Sequence, residues 1–326
     1  MKLNGELLRT WFEAKKSVGS ETLARIKTGS RLGVILATTK SFVDDFIWNG
    51  SPEDSLGILS NDALAPLLED FLTASELRPA KKIIVSNACA SSLSALFFAQ
   101  RWLQREEVSD VLVLATDLVG PFVYRGFECL RVLSPSGGRP FSPDRSGFYL
   151  GEAAAAIVLS KFECDGPYLR NVGVDAEGFA ITRPSQSGES LKRACQSLWL
   201  GEVQDPDLII AHGTGTVVND QIEDRVYTEL FSSRPHITGA KWCVGHTLGA
   251  SGAIDVITAC EVLRKQTAFR LATTTQVDPA FSGRYLNANS DLNELPALSS
   301  VLVSSLGFGG IHAAALIETK KAGARP

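Results

Sequence analysis

Short apolar runs alternate with helical patterns along this chain, and that alternation constrains its fold more than any other feature. Arg31–Thr39 (RLGVILATT), Lys81–Ala88 and Asp110–Asp117 (DVLVLATD) read as buried strands in the first half. Glu152–Lys161 reads as a further strand there. Leu169–Gly178, Asp207–Ala211, Val301–Ser305 and Ala313–Glu318 repeat the rhythm in the second half. Helical periodicity fills the first 30 residues, with Leu7, Leu8, Trp11 and Phe12 on one face, and then 60–76, 89–105, 121–133, 188–199, 221–231 and 250–264. The stretch 134–146 is rich in Pro, Gly and Ser and reads as a loop. Strands that are apolar throughout, set between helices, imply α/β sheets covered on both faces. The expected organisation is two similar halves, 1–162 and 163–326.

The 326 residues suffice for one large domain or two fused halves. A net charge of -4 gives no reason to expect nucleic acid as a partner, and no apolar run reaches membrane-spanning length. The first residues lack the apolar core of a secretory signal. Six cysteines (89, 129, 164, 195, 243 and 260) are scattered without a CxxC pair. Reduced thiols in a cytoplasmic protein are therefore expected.

Cys89 stands where the run Ile83–Val85 passes into a helical pattern, in Asn87-Ala88-Cys89-Ala90-Ser91-Ser92. A helix start offers free N–H groups and partial positive charge, which lower a thiol's pKa and can hold an oxyanion. The other five cysteines read as structural. His212 ends a buried strand and opens His212-Gly213-Thr214-Gly215-Thr216, at the sheet edge where α/β proteins bind ligands. His246 lies in Gly245-His246-Thr247-Leu248-Gly249-Ala250-Ser251-Gly252, where small residues permit close approach. His236 and His312 are left without a role. One thiol and two imidazoles also suit a metal, but no short ligand spacing is present and no metal is expected. A nucleophilic thiol with two separate imidazoles suits acyl transfer on a thioester.

These motifs, in this order, resemble the β-ketoacyl-acyl-carrier-protein synthases, condensing enzymes of the thiolase fold, and most of all the elongating type with a Cys-His-His site. The resemblance also rests on Arg139-Pro140-Phe141 with Asp144–Phe148 and Gly151-Glu152, on Asp220 and Ile222-Glu223, on Lys241, and on Gly307-Phe308-Gly309-Gly310. It covers roughly Arg31 to Glu318. It implies a layered αβαβα fold and a decarboxylating Claisen condensation between an acyl group on Cys89 and a malonyl thioester, in fatty-acid or polyketide synthesis. His212 and His246 would hold the enolate oxygen, and Lys241 would keep the site electropositive and order the histidines. The backbone N–H groups of Cys89 and Phe308 would form the oxyanion hole. Thr182, Thr214 and Thr216 would contact a phosphopantetheine arm, and Phe148 and Phe308 would wall the acyl pocket. Arg131 occupies a family-like position for docking an acyl carrier protein. The substrates would be phosphopantetheine-linked, on a carrier protein or coenzyme A, with no cofactor bound for catalysis. A homodimer is expected, or a heterodimer with another synthase subunit.

The chain departs from the family pattern in three ways. It is expected to start late, without an early strand and Gly-rich turn, and so to leave the first sheet a bare edge, covered in part by the N-terminal helix, Leu3 to Val18, and for the rest by a partner chain. That early segment bears part of the basic surface on which the acidic carrier protein usually docks, and here the loop after Arg31–Thr39, Asp44-Asp45 through Glu53-Asp54, is acidic. Asp255 replaces a glutamate nine residues after the second histidine, and Ile311-His312 replaces Thr-Asn after the glycine turn. Two other functions use the same features. A Cys-dependent acyltransferase would need Cys89 but not the full His-His-Lys set. A pocket-shaping partner subunit of a paired synthase would need no cysteine.

Overall fold

Two sheets separated by a pair of central helices make up the computed structural model, which describes residues 2–29, 31–39, 64–162, 166–182 and 184–320. The acidic segment Asp44–Asp54 and Cys164 lie outside the described residues. The first sheet contains β1 (Leu32–Ala37), β2 (Lys81–Val85), β3 (Asp110–Asp117) and β4 (Ala153–Ser160), in the order β2-β1-β3-β4. Only the β3–β4 pair is antiparallel. The second sheet contains β5 (Tyr168–Ala176), β6 (Leu208–Ile210), β7 (His236–Thr238), β8 (Arg284–Tyr285), β9 (Ser300–Gly307) and β10 (Ile311–Glu318), in the order β5-β10-β9-β6-β7-β8.

Helices α1 (Lys2–Ala14), α2 (Ser20–Thr28) and α3 (Ala65–Ser75) belong to the first half, with α4 (Ser91–Gln104) and α5 (Pro121–Cys129). The second half has α6 (Glu189–Gln196), α7 (Val217–Leu230), the short α8 (Lys241–Val244) and α9 (Ser251–Lys265). The order β1-α3-β2-α4-β3-β4 recurs as β6-α7-β7-α9-β9-β10, with the same neighbours in each sheet and the same antiparallel closing pair.

The period of two along each strand assigns its two faces. On β1 and β3, Ile35, Ala37, Val111, Val113 and Ala115 point to the central layer, where they meet Leu93 and Leu96 of α4. Leu32, Val34, Leu36, Leu112 and Leu114 point the other way, onto Leu7, Trp11, Ile26 and Phe71 of the outer helices. On β9 and β10, Val301, Val303, Ala313 and Ala315 face the centre, and Leu302, Ala314 and Leu316 face Leu191, Ile222 and Val226 of α6 and α7. The result is the expected αβαβα layering, with α4 and α9 as the middle layer.

The two central helices pack closely near their N-termini. A Cβ on Gly252 would lie 2.6 Å from Leu93 Cγ and 2.9 Å from Ser92 Oγ, so glycine alone fits this approach. Ser92 Oγ accepts from the Ala253 N–H at 2.9 Å, tying the helices together.

Several expected elements end differently. The first helical stretch breaks at Val18–Gly19 into α1 and α2. The segment after α5 leaves the helix at Leu130, because Val132 is drawn into a backbone bond from the Phe148 N–H and Leu133 bridges Phe148. Helix α7 starts four residues before the expected 221, directly after the Gly213–Thr216 turn. Strands β7 and β8 and helix α8 are too short to leave a periodic signal.

Among the described residues β4 has β3 as its only strand neighbour, and α1 packs against β4 and β3. Leu7 and Trp11, one turn apart, are completely buried, whereas Phe12 is 53% exposed. Trp11→Ala should therefore lower stability by about 3–5 kcal/mol, and Phe12→Ala should change it by well under 1 kcal/mol. Denaturant unfolding of the two variants checks this; equal effects would mean that α1 is not part of the core.

Candidate active site

Strand β2 ends at Val85, and a one-turn 3₁₀ segment, Ala88–Ala90, precedes α4. Cys89 lies in that segment rather than in the first turn of the α-helix. Ala88 takes φ 46°, a conformation unusual for a residue with a side chain. The local bonds that hold it are Asn87 N–H to Ser91 Oγ at 2.9 Å and Ser91 O–H to the Ala88 carbonyl at 2.6 Å. The Cys89 carbonyl accepts from Ser305 on β9 at 2.9 Å. The second half repeats the geometry before α9: Leu248–Ala250 is a 3₁₀ segment, and Leu248 has φ 53°. Asp117, at the end of β3, accepts from the Gly249 N–H at 2.7 Å and the Thr39 N–H at 3.1 Å, joining that turn to the end of β1.

These two turns meet. His246 Nε2 lies 3.0 Å from Cys89 Sγ. On its other side, His246 Nδ1 is 3.0 Å from Ser251 Oγ and accepts from the Leu248 N–H at 3.3 Å. A backbone N–H can only donate, so on a neutral ring the proton sits on Nε2, facing the sulfur. The His212 ring is 5.3 Å from that of His246, edge to face. Phe148 also meets His246 edge-on, at 5.1 Å, because strand-like bonds place Phe148 and Tyr149 between residues 132–134 and 246.

His212 follows β6, and a carboxylate from α7 holds its turn. Glu223 accepts from the backbone N–H groups of His212 and Gly213, both at 2.7 Å. It also accepts from Tyr227 O–H at 2.7 Å and Asn219 Nδ2 at 2.8 Å. Asp220, three residues before Glu223 on α7, accepts from the Phe141 and Gly215 N–H groups, and burial pushes its carboxyl up to about 7.

Cys89, His212 and His246 open on one cavity of about 310 Å³. Thr182, Thr214, Thr216, Phe148 and Phe308 all lie on its wall, and Arg131 reaches it from an exposed position. The hydroxyls of Thr214 and Thr216 are 3.0 Å apart. Lys241 is not on the wall; it is buried behind it, 3.4 Å from the equally buried Asp255. Its hydrogen bond thus runs to Asp255, and His246 is ordered by Ser251 and Leu248 instead. His236 is half-buried on β7 beside Arg284 and apart from the cavity. Cys195 is buried in the outer core, and Cys129 and Cys243 are exposed.

Burial dominates the electrostatics. The Cys89 thiol is pushed up to about 12, foremost by desolvation, while the Lys241 charge and the backbone N–H groups of Phe308 and Cys89 act in the opposite direction. The lowering expected from a helix start is therefore outweighed in the free protein. His212 and His246 are both held well below their usual value, first by desolvation and then by Lys241, so both are neutral at pH 7. Asp255 is raised by burial against the opposing pull of Lys241.

Sequence reasoning missed Phe127 of α5, whose ring lies 5.5 Å from Phe308, 5.6 Å from Phe148 and 6.4 Å from His246. One aromatic residue in a short helix carries no signal for such a position. The roles of Glu223 and Ser251 were also missed, although both stand inside motifs that were noticed. Among the described residues no cluster of three His, Cys, Asp or Glu side chains is suited to a metal ion.

A cysteine turn, two histidine turns and a glycine hairpin around one cavity in an αβαβα fold define a thiolase-like scaffold. The chain belongs to the β-ketoacyl synthase family: the N-terminal domain of that family matches residues 80–163 and its C-terminal domain residues 168–274. Nodulation protein E of Rhizobium sp. (strain N33) is 32% identical over 209 residues, covering 60% of this chain and 52% of the relative. A highly reducing polyketide synthase of Calcarisporium arbuscula is 27% identical over 349 residues, covering 96% of this chain and 14% of that protein. The chain thus spans about half the length of the nodulation proteins it matches. Among solved structures, the complex of a ketosynthase with its chain length factor from Xenorhabdus doucetiae matches with a TM-score of 0.81 and 25% identity, over 98% of this chain and 81% of that one. A β-ketoacyl synthase from Burkholderia phymatum shares the fold with a TM-score of 0.80 at 21% identity, over 98% and 83% of the two chains. Among the described residues no helix is long and apolar enough to cross a membrane.

The elevated thiol pKa has a measurable consequence. Alkylation of Cys89 by iodoacetamide should rise roughly tenfold per pH unit from pH 7 to 10 without a plateau, since only the thiolate reacts. Lys241→Met removes a charge that favours the thiolate and should slow alkylation at every pH. A plateau near pH 8 would contradict this placement of Cys89.

Proposed function

We propose that this chain catalyses a decarboxylating Claisen condensation, with Cys89 as nucleophile and His212 and His246 as the decarboxylation pair. The observation that carries the reading is the 3.0 Å approach of His246 Nε2 to Cys89 Sγ, with the second imidazole ring 5.3 Å from the first. In the first step the Cys89 sulfur attacks an acyl thioester, the carrier thiol leaves with the cysteine's proton, and the acyl group remains on Cys89. The His246 Nε2–H and the backbone N–H groups of Cys89 and Phe308 favour negative charge at the sulfur and then at the carbonyl oxygen.

In the second step a malonyl thioester loses carbon dioxide, and the C–C bond pair becomes an enolate. Neutral imidazoles suit this step because each offers an N–H to the enolate oxygen without first giving up a proton. The enolate carbon attacks the acyl carbonyl. Collapse of the tetrahedral intermediate expels the Cys89 thiolate and yields a β-ketoacyl thioester. Lys241 acts at a distance through its charge, and Asp255 fixes its position.

The substrates in this reading are phosphopantetheine thioesters of an acyl carrier protein or coenzyme A. Their arm lies along Thr182, Thr214 and Thr216, their acyl chain along Phe148 and Phe308, and the carrier meets the surface near Arg131. Phe127 joins that aromatic wall. No bound cofactor or metal is required by these steps. The chain divides near residue 162 into a nucleophile half, 1–162, and a histidine and glycine-turn half, 163–326. The repeated strand order and the two family segments support that division. A two-chain assembly in the cytoplasm completes the proposal, as a homodimer or with a second synthase subunit; the similarity to a ketosynthase–chain length factor complex favours considering the latter. The complete Cys-His-His set favours the catalytic role over a pocket-shaping one, and the neutral His pair favours decarboxylation over simple acyl transfer.

His212→Ala and His246→Ala should each slow carbon dioxide release from malonyl thioester by about 10²–10³-fold, the usual loss for one preorganised donor, while intact-mass analysis still detects acylation of Cys89. Cys89→Ala should abolish the acyl adduct. Unchanged decarboxylation in both histidine variants, or acylation of Cys89→Ala, would overturn the assignment.

A further inference from the structure

His312 follows the glycine hairpin on β10 and lies on the cavity wall, 2% exposed. Its Nε2 is 3.3 Å from Glu177 Oε1. Its Nδ1 is buried without a partner. Of the buried side-chain polar atoms in that condition among the described residues, those on the cavity wall are His312 Nδ1 and His212 Nδ1. A buried polar atom without a partner costs free energy, and one beside a ligand cavity is ready to be satisfied by a ligand.

The hold on His312 is firm. The Glu177 backbone N–H donates to the Gly310 carbonyl at 2.8 Å, and its carboxylate also accepts from the Ser185 N–H. Gly310 has φ 75°, and a Cβ there would lie 2.4 Å from the Glu177 carbonyl oxygen. A carboxylate only accepts, so the proton of a neutral His312 ring lies on Nε2 and Nδ1 is a bare acceptor. Burial keeps the ring neutral by holding its pKa below the usual value, against the pull of Glu177.

We propose that His312, oriented by Glu177, accepts a hydrogen bond through Nδ1 from a donor group on the bound thioester. This inference rests on the condensing-enzyme reading for the class of ligand. Two donors are chemically available on such a substrate: an amide N–H of the pantetheine arm and a hydroxyl on the acyl chain. The loop that follows Glu177 brings Thr182 and Pro184 to the same wall, and the Gly309 N–H ties that loop to the hairpin through the Ile181 carbonyl at 2.6 Å. His312 therefore shares one cavity wall with the hairpin and the threonine assigned to the arm, and acts as a specificity residue.

Binding to the full chain in a Cys89→Ala background tests this without turnover. The probes are butyryl-pantetheine, the amide-free S-butyl thiobutyrate, and the 3-hydroxybutyryl forms of both. His312→Phe, which keeps a ring and removes both nitrogens, should weaken butyryl-pantetheine about three- to tenfold, the range of one neutral hydrogen bond. It should leave S-butyl thiobutyrate within twofold. His312→Asn, whose amide oxygen accepts, should restore most of the loss, and His312→Leu gives the same comparison if the phenyl ring prevents folding. Loss confined to the 3-hydroxybutyryl forms supports the contact and assigns the donor to the acyl hydroxyl. An equal loss for all four probes, or for none, overturns it. A chain that discriminates in this way yet never releases carbon dioxide from malonyl thioester contradicts the condensing reading and leaves the contact standing. A chain that decarboxylates but shows no discrimination contradicts the contact alone.

Discussion

The close approach of α4 and α9 is the constraint on which the site depends. Each helix is preceded by a 3₁₀ turn with one residue at positive φ, and the turns carry or adjoin Cys89 and His246 of the cavity wall. Gly252 permits the contact and the Ser92–Ala253 bond fixes it. With the helices side by side, Cys89 in the turn before α4 and His246 before α9 fall within 3.0 Å, though they are far apart in sequence. The third group arrives from the second sheet, where Glu223 fastens the His212 turn to α7. The repeated topology thus does chemical work: equivalent turns of the two halves supply different partners to one cavity.

Burial then decides the protonation states. It raises the thiol and lowers the two imidazoles, while Lys241 lies buried 3.4 Å from Asp255. In the free protein Cys89 rests as a thiol, and the N–H groups on which the proposed mechanism relies already face it. Such preorganised donors act more strongly in a dry site than in water. The same site leaves His312 Nδ1 unsatisfied, which marks a place where ligand chemistry is expected to meet the protein.

Much of the fold was legible because a strand covered on both faces must be apolar at every position; Leu32–Ala37 and Val111–Ala115 carry that signal plainly. The break between α1 and α2 was not, since Lys15–Ser17 keeps a helical turn before Gly19. The start of α7 was hidden because Val217 and Val218 suit a strand as well as a helix. At the site, Cys89, His212 and His246 stood out by their turns. The sign of the Cys89 shift did not, because it depends on the depth of burial, which a linear sequence does not reveal. The partners of Lys241 and His312, Asp255 and Glu177, are contacts across the fold, 14 and 135 residues away, with no local pattern to announce them.

The most direct measurement of the central claim follows one acyl group through the site by mass spectrometry. Purified protein is charged with an acyl thioester and then given a malonyl thioester. The account predicts an acyl adduct mapped to Cys89 that disappears on addition of malonyl thioester, together with release of carbon dioxide and a β-keto thioester two carbons longer. An adduct that forms on Cys89 but passes only to other thiols or to water, with malonyl thioester left intact, would contradict it.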